Sequence, residues 1–380
     1  MKNSVINQLI KQPFYSLAAL WLLVQTLLYM RFGIITVDEA KKYLDEADYF
    51  MATGSFSIPK NLFYSMYVLL VAGMKMLGAG ITGVYLVQLF INGISTYFFY
   101  RLARLYSAPA DSLTAYLATF LLIICIPYQA WTTHLYTESL FTSLLILFLY
   151  AYAGKGLLSL QAIILLAMVI LARPTGILLV PALLLSYFVH LISDKKLSPL
   201  SIGAILTGML FSYFVINHAM KGKGDFDFML PFTQGHIICD VPGVKVPSTL
   251  QLPENPNSLN GMLYFILHNP VYFGELAIKK LWYFLSLQRP YYSALHNLAL
   301  GAFFYPLYLL AGYGFIRFRK KNSRQSTWLA CYCMMFTFTV MLTCDDWLNR
   351  FILPVLPVLM LMAGYALSTF IQQTKERIRN

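Results

Sequence analysis

Charge is scarce in this chain. Only 12% of its 380 residues are Asp, Glu, Lys or Arg, while 58% are hydrophobic; soluble domains carry about 25% charged residues. That deficit excludes an ordinary water-soluble globular protein and makes a bilayer the expected solvent. Cysteine is sparse as well. Cys125, Cys239, Cys331, Cys333 and Cys344 do not make a disulfide framework, and Cys331 and Cys333, inside an apolar run, read as small buried hydrophobes. No paired Cys/His spacing marks a zinc site, and no Gly-rich loop follows a strand to cradle a nucleoside triphosphate. The internal repeat found in many transporters is also missing.

Long apolar runs fill the space these features leave. A spanning helix needs about 20 predominantly apolar residues. Such runs cover 14–35, 81–100, 112–127, 138–153, 157–192, 198–217, 296–316, 327–343 and 351–371. The first run has no small-residue cleavage site behind it and reads as a retained span. The run 157–192 is interrupted by Arg173-Pro174, and residues 62–77 are apolar but short. The preferred topology makes 157–192 two spans, 157–172 and 175–192, meeting near Arg173, and makes 62–77 an interfacial or re-entrant helix. The rival makes 157–192 one span and 62–77 a true span. Both give ten spans.

The charges choose between them. Lys and Arg concentrate in cytoplasmic loops. With the N-terminus in the cytoplasm, the preferred topology puts Lys2, Lys11, Arg101, Arg104, Lys155, Lys195, Lys196, Arg317, Arg319, Lys320, Lys321, Arg324, Lys375, Arg377 and Arg379 on that side. Only Asp111, Asp194 and Glu376 oppose them there, so the whole net charge of +12 sits on one face. This is a topology signal and does not call for nucleic acid. The rival would move Arg101, Arg104, Asp111 and Lys155 outside, against the rule. The expected organisation is an all-α polytopic membrane protein of about ten spans: residues 1–217 a transmembrane catalytic module with its key loop at 36–80, 218–295 an extracytoplasmic segment with an interfacial helix at 270–287, and 296–380 the last spans and a basic tail.

Ionisable residues then mark the outer face. Thr36 and Glu39 have capping-box spacing, which gives Glu39 a structural reading and places Asp38 in the first helical turn, where the helix dipole favours an acid. Asp38 alternatively takes a proton from an acceptor hydroxyl, with Glu39 beside it as a second catalytic candidate, while Asp45, Glu46 and Asp48 read as a solvated face. Glu138 follows Thr137, a plausible cap, and is the sole acid between Asp111 and Asp194, at the mouth of an apolar span where ionisable groups are costly and tend to be functional. His134 lies nearby, a lone histidine that either binds substrate or is structural. Arg173 and Arg350 offer donor forks suited to phosphate; each also reads as a snorkelling anchor, and Arg350 as a partner of Asp345 or Asp346. Lys279 and Lys280 lie on an amphipathic stretch that either binds substrate or meets lipid headgroups. Acids from two loops and arginines from two others thus converge on a face where nucleotide sugars are generally absent, which favours a donor carried on a membrane lipid.

Four segments resemble the GT-C class of integral-membrane glycosyltransferases, which use lipid-phosphate sugars and include protein O-mannosyltransferases, the aminoarabinose transferase of lipid A and GPI-anchor mannosyltransferases. They are Asp38-Glu39-Ala40 after the first span with the helix 62–77, Leu135-Tyr136-Thr137-Glu138-Ser139-Leu140-Phe141, Ala172-Arg173-Pro174-Thr175-Gly176, and Arg350-Phe351-Ile352-Leu353-Pro354 with Pro357. The second is close to the Tyr-(Ser/Thr)-Glu-Ser-Leu-Phe pattern of the second GPI mannosyltransferase. The resemblance covers most of residues 10–370 and implies an extracytoplasmic site performing inverting transfer from a polyprenyl-phosphate sugar to a glycan, lipid or protein acceptor. On this chain it makes Asp38 the general base, gives Arg173 and Arg350 the donor phosphate, and has Glu138 orient the acceptor or hold the base. Some relatives use a divalent cation, and the metal is left open. The alternatives are a transporter or flippase of a lipid-linked glycan and an O-antigen polymerase or ligase. Short loops and compact length lean toward a bacterial plasma membrane.

Overall fold

The structure is a computed structural model that describes residues 13–107, 112–196, 198–220 and 228–379; Lys2, Lys11 and Asp111 lie outside the described residues. Helices follow the apolar runs closely. In chain order they are α1 (Pro13–Phe32), α2 (Glu39–Thr53), α3 (Ser65–Met76), α4 (Gly80–Tyr106), α5 (Ser112–Ile124), α6 (Ile126–Gln129), α7 (Thr137–Lys155), α8 (Leu160–Ala172), α9 (Leu179–Ser193) and α10 (Pro199–Met220). After α11 (Leu230–Thr233), a two-stranded antiparallel ribbon of β1 (His236–Ile238) and β2 (Val241–Pro242) is the only sheet among the described residues. Then come α12 (Leu259–His268), α13 (Pro270–Ser286), α14 (Ala294–Lys321), α15 (Ser323–Leu342) and α16 (Leu356–Arg379).

Among the described residues, six of these helices, and α9 taken with the turn before it from Pro174, are long and apolar enough to cross a membrane, making seven, or eight if α5 and α6, bent by 68° at Cys125, count as one. Their apolar side chains face outward as well as inward: Leu22, Leu23, Leu27 and Met30 of α1 are all exposed. Water would penalise that surface and lipid does not. The chain is an all-α polytopic membrane protein. The run 157–192 breaks at Arg173, which ends α8 in an extended conformation before Pro174 opens a 3₁₀ turn to Leu178. Proline cannot continue the hydrogen-bond ladder, and its ring disfavours the helical conformation in the residue before it. Helix α3 has 12 residues, so it is about 18 Å long, well short of a hydrocarbon core of about 30 Å.

The chain divides into two compact units. The first comprises residues 1–176, 307–325 and 356–380; the second comprises 177–306 and 326–355. In the first unit α4 and α7 run parallel. Gln88 meets the His134 carbonyl, Ser95 meets Ser143, Phe98 packs on Tyr150 and Leu105 lies against Gly154. Helices α5, α14 and α16 approach closely at small residues: a Cβ on Gly364 would fall 2.6 Å from the Ala118 backbone, and one on Gly314 would fall 1.9 Å from the Met362 carbonyl. Tyr106 at the end of α4 packs edge-on against Phe318 near the end of α14. Arg101, Arg104, Lys155, Arg317 and Arg319 therefore gather at one end of this unit, and the starts of α4 and α7 mark the other.

The second unit has its own apolar core, in which Met229, Phe232, Ile237, Ile238, Met262, Phe265, Tyr272 and Leu276 are buried together. A disulfide joins Cys239 to Cys344 across 105 residues of sequence. This corrects the expectation that the cysteines are unbridged. The two bridged cysteines are 105 residues apart, so no local spacing marks them as a pair. Cys125, Cys331 and Cys333 are free.

Candidate functional site

The loop after α1 is tied to the start of α7 by backbone. Ile35 N–H donates to the Thr133 carbonyl at 2.8 Å, and Leu135 N–H donates to the Ile35 carbonyl at 3.0 Å. The Tyr136 hydroxyl then donates to the Val37 carbonyl at 3.2 Å. These bonds fix the residue immediately before Asp38.

Asp38 itself is strained. It precedes the first residue of α2 with φ +55° and ψ −121°, and its carboxylate makes no capping hydrogen bond. With Ala40 N–H donating to the Val37 carbonyl, residues 37–40 form a type II′ turn, whose first central position favours glycine. A non-glycine residue there costs on the order of 1–3 kcal/mol. The expected capping box is absent: Thr36 does not open the helix, and Asp38 stands at the N-cap position itself. The Asp38 side chain is exposed and Glu39 is half-buried.

Glu39 accepts from Tyr43 Oη at 3.3 Å, one helical turn on. Tyr43 is buried against Tyr64 and Tyr67. Burial pushes its hydroxyl well above the usual tyrosine range; Tyr64, Glu39 and Glu138 push it further and Arg173 opposes them. Tyr43 therefore lies within electrostatic reach of both loops. Glu46 contradicts the expectation of a solvated face. It is buried and accepts from the backbone and hydroxyl of Ser57, tying α2 to the segment just before the 3₁₀ turn at Pro59–Tyr64, whereas Asp45 and Asp48 are exposed.

Glu138, in the first turn of α7, is 1% exposed, and Oε1 accepts from Arg173 Nη1. The break in 157–192 thus brings Arg173 to the Glu138 end of the unit. Because the carboxylate already balances this guanidinium, Arg173 offers a phosphate less net attraction than a lone arginine would. His134 Nδ1 lies 3.1 Å from the Ala130 carbonyl, with its ring packed against Trp131 and Tyr136. Burial lowers its pKa, opposed by that carbonyl and by Glu138. Beneath these groups Tyr67 donates to Gln88 Oε1 at 2.6 Å, and Gln88 Nε2 donates to the carbonyls of Thr132 and His134. Gln25, Gln129 and Thr132 form a second buried cluster at the α5–α6 bend. Sequence reading missed Tyr43, Tyr67 and the glutamines, and took Tyr136 only as part of a motif. The signal was present for Gln25, Gln88 and Gln129, isolated carboxamides within or beside apolar runs, which need partners.

Arg350, Lys279 and Lys280 belong to the second unit. Arg350 Nε pairs with Asp346 Oδ2 at 2.9 Å, in line with its reading as a partner of a neighbouring acid. Lys279 pairs with Glu275 at 2.9 Å and is exposed. Lys280 is fully buried, donates to the Thr343 carbonyl, and lies 4.1 Å from the Phe232 ring centroid. Burial brings its pKa down to about 7. Beside it, Arg289 donates to Asp345 at 2.6 Å and to the carbonyls of Tyr283 and Asp346 at 3.0 Å, and both side chains are closed off. Sequence reading did not single out Arg289. Among the described residues, no group of three or more His, Cys, Asp and Glu side chains could hold a metal ion.

Neither the protein-family models nor the curated proteins contain a match to this chain.

Proposed function

We propose that the chain is a glycosyltransferase that moves a monosaccharide from a polyprenyl-phosphate donor to an acceptor hydroxyl on the extracytoplasmic face of a membrane, with Asp38 as general base. The observation that carries this reading is the Asp38 turn. An exposed carboxylate is held at a glycine-favouring position by bonds from a second loop, and that loop leads into a buried Glu138–Arg173 pair. Strain of this kind persists only where surrounding structure enforces it, and it clusters at working sites.

Two features support the orientation. The candidate site and the gathered arginines and lysines occupy opposite ends of the first unit, and basic residues favour the cytoplasm. The Cys239–Cys344 bridge belongs to an oxidising compartment, and the charge rule assigns both cysteines to the outer side. The order of motifs resembling GT-C enzymes adds to this, and the bacterial plasma membrane is the membrane we assign.

In the proposed reaction, Asp38 accepts the proton of the acceptor hydroxyl as its oxygen attacks the anomeric carbon. The bond from that carbon to the phosphate oxygen breaks, its electron pair leaves with polyprenyl phosphate, and the configuration inverts. General-base assistance contributes about 10²–10⁴ in rate. Glu138 fixes Arg173, and Arg173 provides the positive charge assigned to the phosphate. Incubating purified protein with a panel of polyprenyl-phosphate monosaccharides and an envelope glycan extract tests the reading. Release of polyprenyl phosphate with an inverted glycosidic product is expected; translocation of an intact lipid-linked glycan without bond cleavage would replace it with the flippase reading.

A further inference from the structure

The second unit contains a cleft of about 860 Å³, remote in sequence from the Asp38 loop. Its size falls within the range of roughly 300–1,000 Å³ common for small-ligand sites. One wall is the end of α10, where Tyr213 and Asn217 stand one helical turn apart. The other is the segment 252–260 with Tyr264 of α12.

That second wall is built to be rigid. Asn217 Oδ1 accepts from Leu259 N–H and Asn257 Oδ1 accepts from Phe228 N–H, both at 2.9 Å. Ser258 caps α12, accepting from Gly261 N–H at 2.9 Å and donating to the Asn255 carbonyl at 2.9 Å. Gly261 is required there, because a Cβ would lie 2.1 Å from that same carbonyl. Pro253 and Pro256 restrict the backbone further. The side chains of Glu254, Asn255 and Asn260 are nevertheless exposed. Among the described residues, none donates to or accepts from them. A wall held by its backbone while presenting uncommitted carboxamides and one carboxylate is preorganised for a polar ligand.

The lining also restricts the ligand's chemistry. The described lining contains no Lys, Arg or His, so those residues offer a phosphate or an anionic lipid headgroup no counter-charge, and Glu254 repels it. Carboxamides offer a donor and an acceptor side by side, which matches vicinal hydroxyls. Tyr213 and Tyr264, the latter with one ring face stacked on His268 at 3.8 Å, add aromatic surface with a polar handle, a surface suited to the apolar face of a pyranose ring. The position fits as well. Between His218 and Ala294 no described helix is long and apolar enough to cross a membrane. The cleft therefore stands on the same side as the Cys239–Cys344 bridge, the side we assign to the extracytoplasmic compartment.

We infer that this cleft is a saccharide-binding site for a neutral, pyranose-containing glycan. Its role as the acceptor subsite rests on the proposed transfer function; binding itself does not.

The test uses the full-length protein in lipid nanodiscs on an array of immobilised neutral and acidic glycans. Retention on at least one neutral glycan is expected, with Asn260→Ala and Tyr264→Ala each weakening it by tenfold or more. Both side chains are exposed, so neither change should unfold the chain, and Glu254→Lys should shift preference toward acidic glycans. Asp38→Asn should bind as the unaltered chain does. No retention, equal retention by the cleft variants, or a preference of the unaltered chain for acidic glycans would overturn the inference. Retention that depends on the cleft, found together with undiminished transfer by Asp38→Asn, would remove the catalytic assignment and leave this site standing.

Discussion

Each unit holds a buried arginine–carboxylate pair, and the two pairs are built differently. Arg289 and Asp345 are sealed. Their side chains are 0% and 1% exposed, backbone carbonyls take further guanidinium donors, and a disulfide closes one residue away at Cys344. Arg173 and Glu138 pair at 10% and 1% exposure, but they adjoin a loop that carries an exposed, strained acid. The sealed pair reads as architecture. The other reads as the fixed back wall of a site, because its neighbours retain solvent access and conformational cost. A buried ion pair alone is weak evidence for either role; what surrounds it decides.

The largest expected effect belongs to Asp38. Asp38→Asn should lower transfer by about 10²–10⁴ with an unchanged melting curve, measured as polyprenyl phosphate release.

Next are the pairs themselves. Arg289→Met or Arg173→Met alone strands a buried carboxylate and should cost about 3–5 kcal/mol in thermal or denaturant unfolding. Apolar replacement of both partners separates the two roles. Arg289→Met with Asp345→Leu should regain stability and leave transfer intact. Arg173→Met with Glu138→Leu should regain stability and leave transfer lost. Recovery of transfer in the latter would make both pairs architectural.

Cys239→Ser should destabilise the second unit by about 2–5 kcal/mol without changing the turnover of the folded fraction. A smaller effect of opposite sign follows from the Asp38 turn. Asp38→Gly should stabilise the protein by about 1–3 kcal/mol, by relieving the backbone, while abolishing transfer. Destabilisation by glycine would mean that the turn carries no strain.

The last effect is a pH dependence and concerns Lys280, with its pKa lowered to about 7. Between about pH 7 and the unfolded value near 10.4, the unfolded chain holds a proton that the folded chain lacks. Stability should therefore rise with pH across that window, by at most about 1.4 kcal/mol per unit. Unfolding measured from pH 7 to 10 should show a flatter profile for Lys280→Met.

Much of the architecture was legible in the sequence, because apolar length and proline act locally. The Arg173-Pro174 break and the shortness of 62–77 could be read directly, and the positions of Asp38, Glu138 and Arg173 at one end of a unit follow from that break. What could not be read depends on distant partners. Cys239 and Cys344 are 105 residues apart, and Arg289 meets Asp345 across 56. Glu46 looked solvated because its partner, Ser57, lies beyond the helix that carries it. Thr36 and Glu39 have capping-box spacing, but bonds from residues 133–136 draw the chain into a different turn. Tertiary contacts overrode a local signal, and they did so at the residue with the strongest claim to chemistry.

The central claim is most directly tested by polyprenyl phosphate release in single turnover, comparing the unaltered chain with Asp38→Asn at matched folded concentration and saturating donor. A loss of two orders of magnitude or more with Asn is predicted. Equal rates would contradict the assignment of Asp38 as the base.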